Sequence, residues 1–160
     1  MRRSAVIIAT VATMLVSASA ASSLAVEPTP PNFKASLVGT IVDGGSTCCI
    51  TFWFFEGSAV VPMLGVVTFE GEWAQGGVQF SDPPLRHRSL FLRLESSHGD
   101  TLLLSGVTQW PATEPTPPLR WTVSEGTGRF AAYSGSGTYT TANVDGTVQI
   151  TLSGTLLRPS

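Results

Sequence analysis

The chain has 160 residues, a length suited to one domain, and only 12% of them are charged. Its 16 glycines and 11 prolines suit many short strands and turns rather than helices. The net charge of −2 falls to −4 once Arg2 and Arg3 leave with an N-terminal leader (7 basic against 11 acidic residues), so no basic stripe remains and a nucleic-acid interface is excluded.

Residues 1–25 read as a signal peptide. Arg2 and Arg3 form a charged n-region, and Ala5–Val16 is an apolar run. Ala18-Ser19-Ala20 fits a small-x-small cleavage site, with Ser23-Leu24-Ala25 as a second candidate. The run falls short of the roughly 20 residues of a membrane span. No later segment is apolar enough to span one after the leader is removed. The expected location is secreted or periplasmic, as an exported bacterial protein. Glu27-Pro-Thr-Pro-Pro31 then makes an extended lead-in over residues 26–32, and the pentapeptide recurs at Glu114–Pro118 as a connector.

From residue 33 to the end the pattern is all-β. The first strand, Phe33–Val42, alternates Phe33, Ala35, Leu37, Gly39 and Ile41 with polar residues, and Asp43–Ser46 reads as a turn. The second, Cys48–Glu56, is apolar on both faces, with Phe52 and Phe54 on one and Trp53 and Phe55 on the other. The third, Gly65–Trp73, separates Val67, Phe69 and Trp73 from Thr68, Glu70 and Glu72. A loop, Ala74–Arg88, leads to a fourth strand, Ser89–Glu95, and a turn at Ser96–Asp100 to a fifth, Thr101–Trp110. The sixth is Leu119–Val123 and the seventh Gly137–Ala142. Asn143-Val-Asp-Gly146 turns into an eighth, with Val148, Ile150, Leu152 and Leu156 on one face. Eight short strands at near-regular spacing predict a single eight-stranded antiparallel up-and-down barrel, with a β-sandwich as the alternative. An eight-stranded interior is filled by side chains or holds one small ligand.

Between the sixth and seventh strands lies Glu125-Gly-Thr-Gly-Arg-Phe-Ala-Ala-Tyr-Ser-Gly-Ser-Gly-Thr138. Gly126 and Gly128 predict a tight turn, Phe130 a plug at one end of the core, Ala131–Tyr133 a helical turn, and Gly135 and Gly137 a bulge or bend. The spacing Gly126-x-Gly128-x-x-Ala131 matches a dinucleotide fingerprint, but no full helix can follow it before Gly135 and Gly137. The segment resembles the GTGRFxGAxGxGT signature of small secreted bacterial proteins, themselves similar to the allene oxide cyclase and dirigent barrels. Glu125 stands where that family often has a first glycine, and Ala132 where it usually has another. The resemblance implies an eight-stranded barrel with a central cavity, in a dimer or trimer. It carries no catalytic residue across.

Cys48 and Cys49 are the only cysteines. On a strand their sulfurs point to opposite faces. Two structural thiols, a disulfide between two chains, or a strained vicinal disulfide all remain open. No metal site and no cofactor are expected. His87, in Arg86-His87-Arg88, is read on a solvated loop, with contact to an anionic ligand at a barrel mouth as the alternative. His98 sits in a turn. Glu70 and Glu72 share a face that is read as outward, where paired carboxylates are solvated. Candidate ligand-binding residues are Trp53, Trp73, Trp121, Phe130, Arg129 and Tyr139, and Phe54 and Trp110 join them as aromatic candidates. The expected function is an exported barrel that binds a small apolar ligand or serves as an interaction module. The alternatives are a cyclase-like or dirigent-like enzyme shaping a reactive apolar intermediate, and an oligomeric structural protein with a filled core.

Overall fold

The structure, a computed structural model, describes residues 32–78 and 82–158. The expected leader and residues 26–31 of the lead-in lie outside the described residues. Eight antiparallel strands run in chain order: β1 Asn32–Ser46, β2 Ile50–Val61, β3 Gly65–Val78, β4 Leu85–Ser96, β5 Thr101–Pro111, β6 Leu119–Gly126, β7 Ser134–Val144 and β8 Thr147–Leu157. Each pairs with its sequence neighbour, and β1 pairs with β8, so the sheet closes into a barrel. The sandwich alternative is thereby excluded. The described residues contain no α-helix.

Period-two patterning explains the wall. Phe33, Ala35, Leu37, Phe55, Phe69, Leu90, Leu92, Leu94, Leu102, Leu104, Val148, Ile150 and Leu152 all bury their side chains in one core. Trp53 and Phe55 are the inward residues of β2, while Phe54 is exposed on the outer wall beside half-buried Phe52. Large inward rings sit against glycines: a Cβ at Gly39 or Gly57 would press on the Phe69 ring, and one at Gly71 on Phe55.

Several boundaries differ from the sequence reading. Asn32 belongs to β1 rather than to the lead-in, and Asp43–Ser46 continues β1 past a bulge at Val42, pairing with Phe54–Thr51. Strand β2 runs on to Val61, because Ala59 and Val61 continue its inward row. Strands β3 and β4 extend through most of the expected Ala74–Arg88 loop, so Arg86, His87 and Arg88 are strand residues. Bulges fall at Val42 and Ser124, not in β7. Gly135 and Gly137 pair with β8 in continuous register. Their role is close approach: a Cβ on either would strike a β8 carbonyl oxygen, Thr155 or Ser153 respectively.

One end of the barrel is plugged. The connection from β6 to β7 makes a 3₁₀ turn, Gly128–Phe130, three residues earlier than the expected turn at Ala131–Tyr133. Only Gly128 of its two glycines has positive φ (+52°); Gly126 instead leaves room for the Phe130 carbonyl. Phe130 and Tyr133 meet edge to face at 5.4 Å and are buried with Leu64. At the other end the β7–β8 turn places Asp145 and Gly146 both at positive φ, the requirement of a two-residue hairpin that follows the strand twist.

Candidate functional site

The open end is built differently. Strand β6 is the shortest and pairs with β5 only from Leu102 to Ser105, and with β7 only from Leu119 to Thr122. The proline-containing connection 112–118 runs through this part of the wall instead. Proline lacks the N–H a ladder needs, so this segment cannot complete the sheet. Two cavities lie here. One, of about 470 Å³, is lined among others by Cys49, Gln75, Arg86, Arg88, Trp110 and Thr116. The second, of about 510 Å³, is lined by Arg88, Thr116, Pro117, Pro118, Leu119 and residues 138–141 of β7. Arg88 and Thr116 belong to both.

Arg88 is the hinge of this arrangement. It extends the inward row of Leu94, Leu92 and Leu90, pairing with Gln75 on β3 and Thr108 on β5. Although it springs from β4, it lines the cavity beside β7, so its side chain crosses the mouth. Its charge is felt at Tyr139, where it favours the phenolate. Burial of Tyr139 is the larger influence and pushes the phenol up to about 12. Neither Arg86 nor Arg88 has a carboxylate within 4.0 Å among the described residues.

Buried polar atoms without partners occur in the same part of the barrel. Trp73 Nε1, Trp110 Nε1, Tyr139 Oη and Thr141 Oγ1 are buried with no hydrogen-bond partner among the described residues. Trp73 and Trp110 are each 6% exposed and Tyr139 2%. Each such group left unpaired costs about 1–3 kcal/mol. Trp110 lines the first cavity, and Tyr139 and Thr141 the second. Trp53 stacks on its cross-strand partner Trp73 at 4.6 Å, one inward position below Thr51 and Gln75.

The candidates expected from sequence therefore separate. Trp110 and Tyr139 line the two open-end cavities, while Trp53 and Trp73 stack on each other and line neither. Phe130 and Arg129 sit at the plugged end. Trp121 is fully buried in mid-barrel, its Nε1 donating to the Thr138 and Ser153 carbonyl oxygens at 3.0 and 3.3 Å. Phe54 helps line an apolar groove of about 430 Å³ on the outer wall with Val42, Phe91 and Leu103. Glu70 and Glu72 lie on that wall too, and Glu70 accepts from Arg93 at 2.9 Å. His98 stays in its turn, its ring 3.3 Å from Ser97 Oγ. Arg86, Arg88, Gln75 and Thr116 were not expected at a site. Extending the inward parity of Leu90 back through Arg88 and Arg86 would have found two of them.

Cys48 and Cys49 precede β2 rather than belonging to it. The Thr47 N–H donates to the Ile50 carbonyl at 2.8 Å, so the two cysteines form the tip of a two-residue hairpin. The turn brings their sulfurs to 2.8 Å, where a strand would have directed them apart. The hydrogen bond with Cys48, then desolvation, then the charge of Cys48 raise the Cys49 thiol above its ordinary value.

No group of three or more His, Cys, Asp or Glu side chains placed to hold a metal occurs among the described residues. No helix there is long and apolar enough to cross a membrane. Comparison with protein-family models, curated proteins and solved structures finds no match for the chain.

Proposed function

We propose that this barrel binds a small amphipathic anion at its open end, with an apolar body against Trp110 and an acidic head at Arg88. The observation that carries this reading is that Arg88 lines both cavities, whose walls also carry three residues with a buried, unpartnered polar atom, Trp110, Tyr139 and Thr141. A guanidinium presents paired donors that match a carboxylate or phosphate. Indole N–H groups donate only, and so suit an acceptor-rich head. The leader-like stretch Arg2–Ala20 supports export, and the GTGRF segment supports a place among the small secreted bacterial barrels.

The test compares decanoate with decanol, which share a chain but differ in charge, by calorimetric titration of the full protein. The carboxylate is expected to bind at least 10-fold more tightly, because a hydrogen bond to a charged group contributes about 1.5–3 kcal/mol. Arg88→Met is expected to abolish that preference while leaving weak binding of both. Equal binding of the two probes by the unaltered protein would overturn the proposal.

A further inference from the structure

The tip of the β1–β2 hairpin carries a chemistry separate from the cavity. We infer that Cys48 and Cys49 are a redox-active dithiol that closes to a vicinal disulfide within one chain. Three observations support this. The sulfurs are already 2.8 Å apart. The turn that holds them is closed behind them, by Thr47 N–H to Ile50 O at 2.8 Å and Ile50 N–H to Thr47 Oγ1 at 3.3 Å. Cys48 is exposed and Cys49 half-buried, so an external disulfide reaches the first thiol more easily than the second.

The backbone supports the reactive geometry from its far side as well. The Cys49 carbonyl accepts from the Gly77 N–H at 3.0 Å, and a Cβ at Gly76 would strike that same carbonyl. The tip is thus held against β3, with Cys49 on the rim of the first cavity. Adjacent Cα atoms lie about 3.8 Å apart across a trans peptide, below the usual disulfide range of about 4.4–6.8 Å. Such a bond is strained, and strained, exposed disulfides are the readily reduced ones. The pair is therefore reversible under mild conditions rather than a permanent staple.

The co-reactant is a small disulfide such as oxidised glutathione. The Cys48 thiolate attacks one of its sulfurs, breaking the S–S bond and releasing one thiol. The Cys49 thiol gives its proton to water and displaces the second thiol from the mixed disulfide. Two electrons pass to the small disulfide, which leaves as two thiols. The chain loses two hydrogens and gains one intramolecular S–S bond. The half-buried Cys49 acts as the resolving group.

The test equilibrates the full chain with mixtures of reduced and oxidised glutathione, quenches with acid, alkylates the remaining thiols and weighs the intact chain. The expected result is two interconverting species, one doubly alkylated and one lighter by two hydrogens and unalkylated, with the lighter one growing as the oxidised fraction rises. Cys49→Ser is expected to keep one glutathione on Cys48 and never give an unalkylated disulfide form. Circular dichroism of the variant separates a lost resolving thiol from a lost fold. Wild-type chains that stay doubly alkylated at every ratio, that only retain glutathione, or that join into disulfide-linked dimers would each overturn the inference. The readout concerns sulfur alone, so its failure leaves the ligand proposal standing.

Discussion

Arg129 and Leu64 lie 65 residues apart, and the Arg129 guanidinium donates to the Leu64 carbonyl at 2.9 Å. The contact ties the β6–β7 connection to the β2–β3 turn across the plugged end. The same guanidinium lies 3.6 Å from Asp100 and over the Phe130 ring at 4.7 Å, so it also reaches the β4–β5 turn. Three loops that belong to different hairpins are held by one side chain. Arg129→Met keeps the apolar stem and removes the donors. It is expected to lower unfolding free energy by about 1 kcal/mol, since the group is half exposed. Urea denaturation checks this, and a variant as stable as the parent would show that the clasp contributes nothing.

Phe130 should matter more. It is almost completely buried at the bottom of the core, and truncation would leave a void that the surrounding strands cannot close. Phe130→Ala is expected to cost about 3–5 kcal/mol in the same measurement. Because the plug and the open end are at opposite mouths, the folded fraction of that variant should retain the decanoate preference of the parent.

Gly137 tests the mid-barrel packing. It pairs with Gly154 on β8 and with Trp121 on β6. The missing side chains let the Trp121 indole lie across both strands and donate to Thr138 and Ser153. A Cβ at Gly137 would collide with the Ser153 carbonyl, which is backbone and cannot rotate away. Gly137→Ala is expected to cost about 3 kcal/mol and roughly 10 °C in Tm by thermal melting. A Tm within a degree of the parent would mean that the two strands have room to part.

The sequence made the eight strands legible because period-two burial dominates where one wall faces a dry core: Val148, Ile150 and Leu152 against Thr147, Gln149 and Thr151 admit only one register. It lost that clarity where the wall approaches the open mouth. Arg86 and Arg88 occupy inward positions of β4, yet charged residues beside Asp82-Pro83-Pro84 read as a loop. The cysteine geometry was hidden for a related reason. Cys48-Cys49-Ile50 continues an apolar strand pattern, and nothing in the residue types marks the two-residue turn that precedes Ile50. The plug was legible, since a ring after Gly126-Thr-Gly128 has few other uses. Its clasp was not, because the Arg129 acceptor is a backbone carbonyl at Leu64, and a backbone acceptor carries no sequence signature.

Tyr139 offers a titration that reports directly on the open end. Burial disfavours the phenolate and raises the folded value to about 12, against about 10 for an unfolded tyrosine. The group is raised in the folded state, so the stability tied to its neutral form is fully present below pH of about 10. That stability is lost as pH rises through about 12, because the unfolded chain releases the proton first. A Tyr133→Phe background leaves Tyr139 as the single tyrosine. Its phenolate absorbance is expected to rise near pH 12 in the folded chain and near pH 10 in urea. Arg88 opposes the burial effect, so Arg88→Met in this background is expected to push the folded midpoint higher still, with circular dichroism at each pH marking the onset of alkaline unfolding. A folded midpoint near 10 would contradict the burial of Tyr139, and a midpoint unmoved by Arg88→Met would show that the guanidinium does not cross the mouth to reach it.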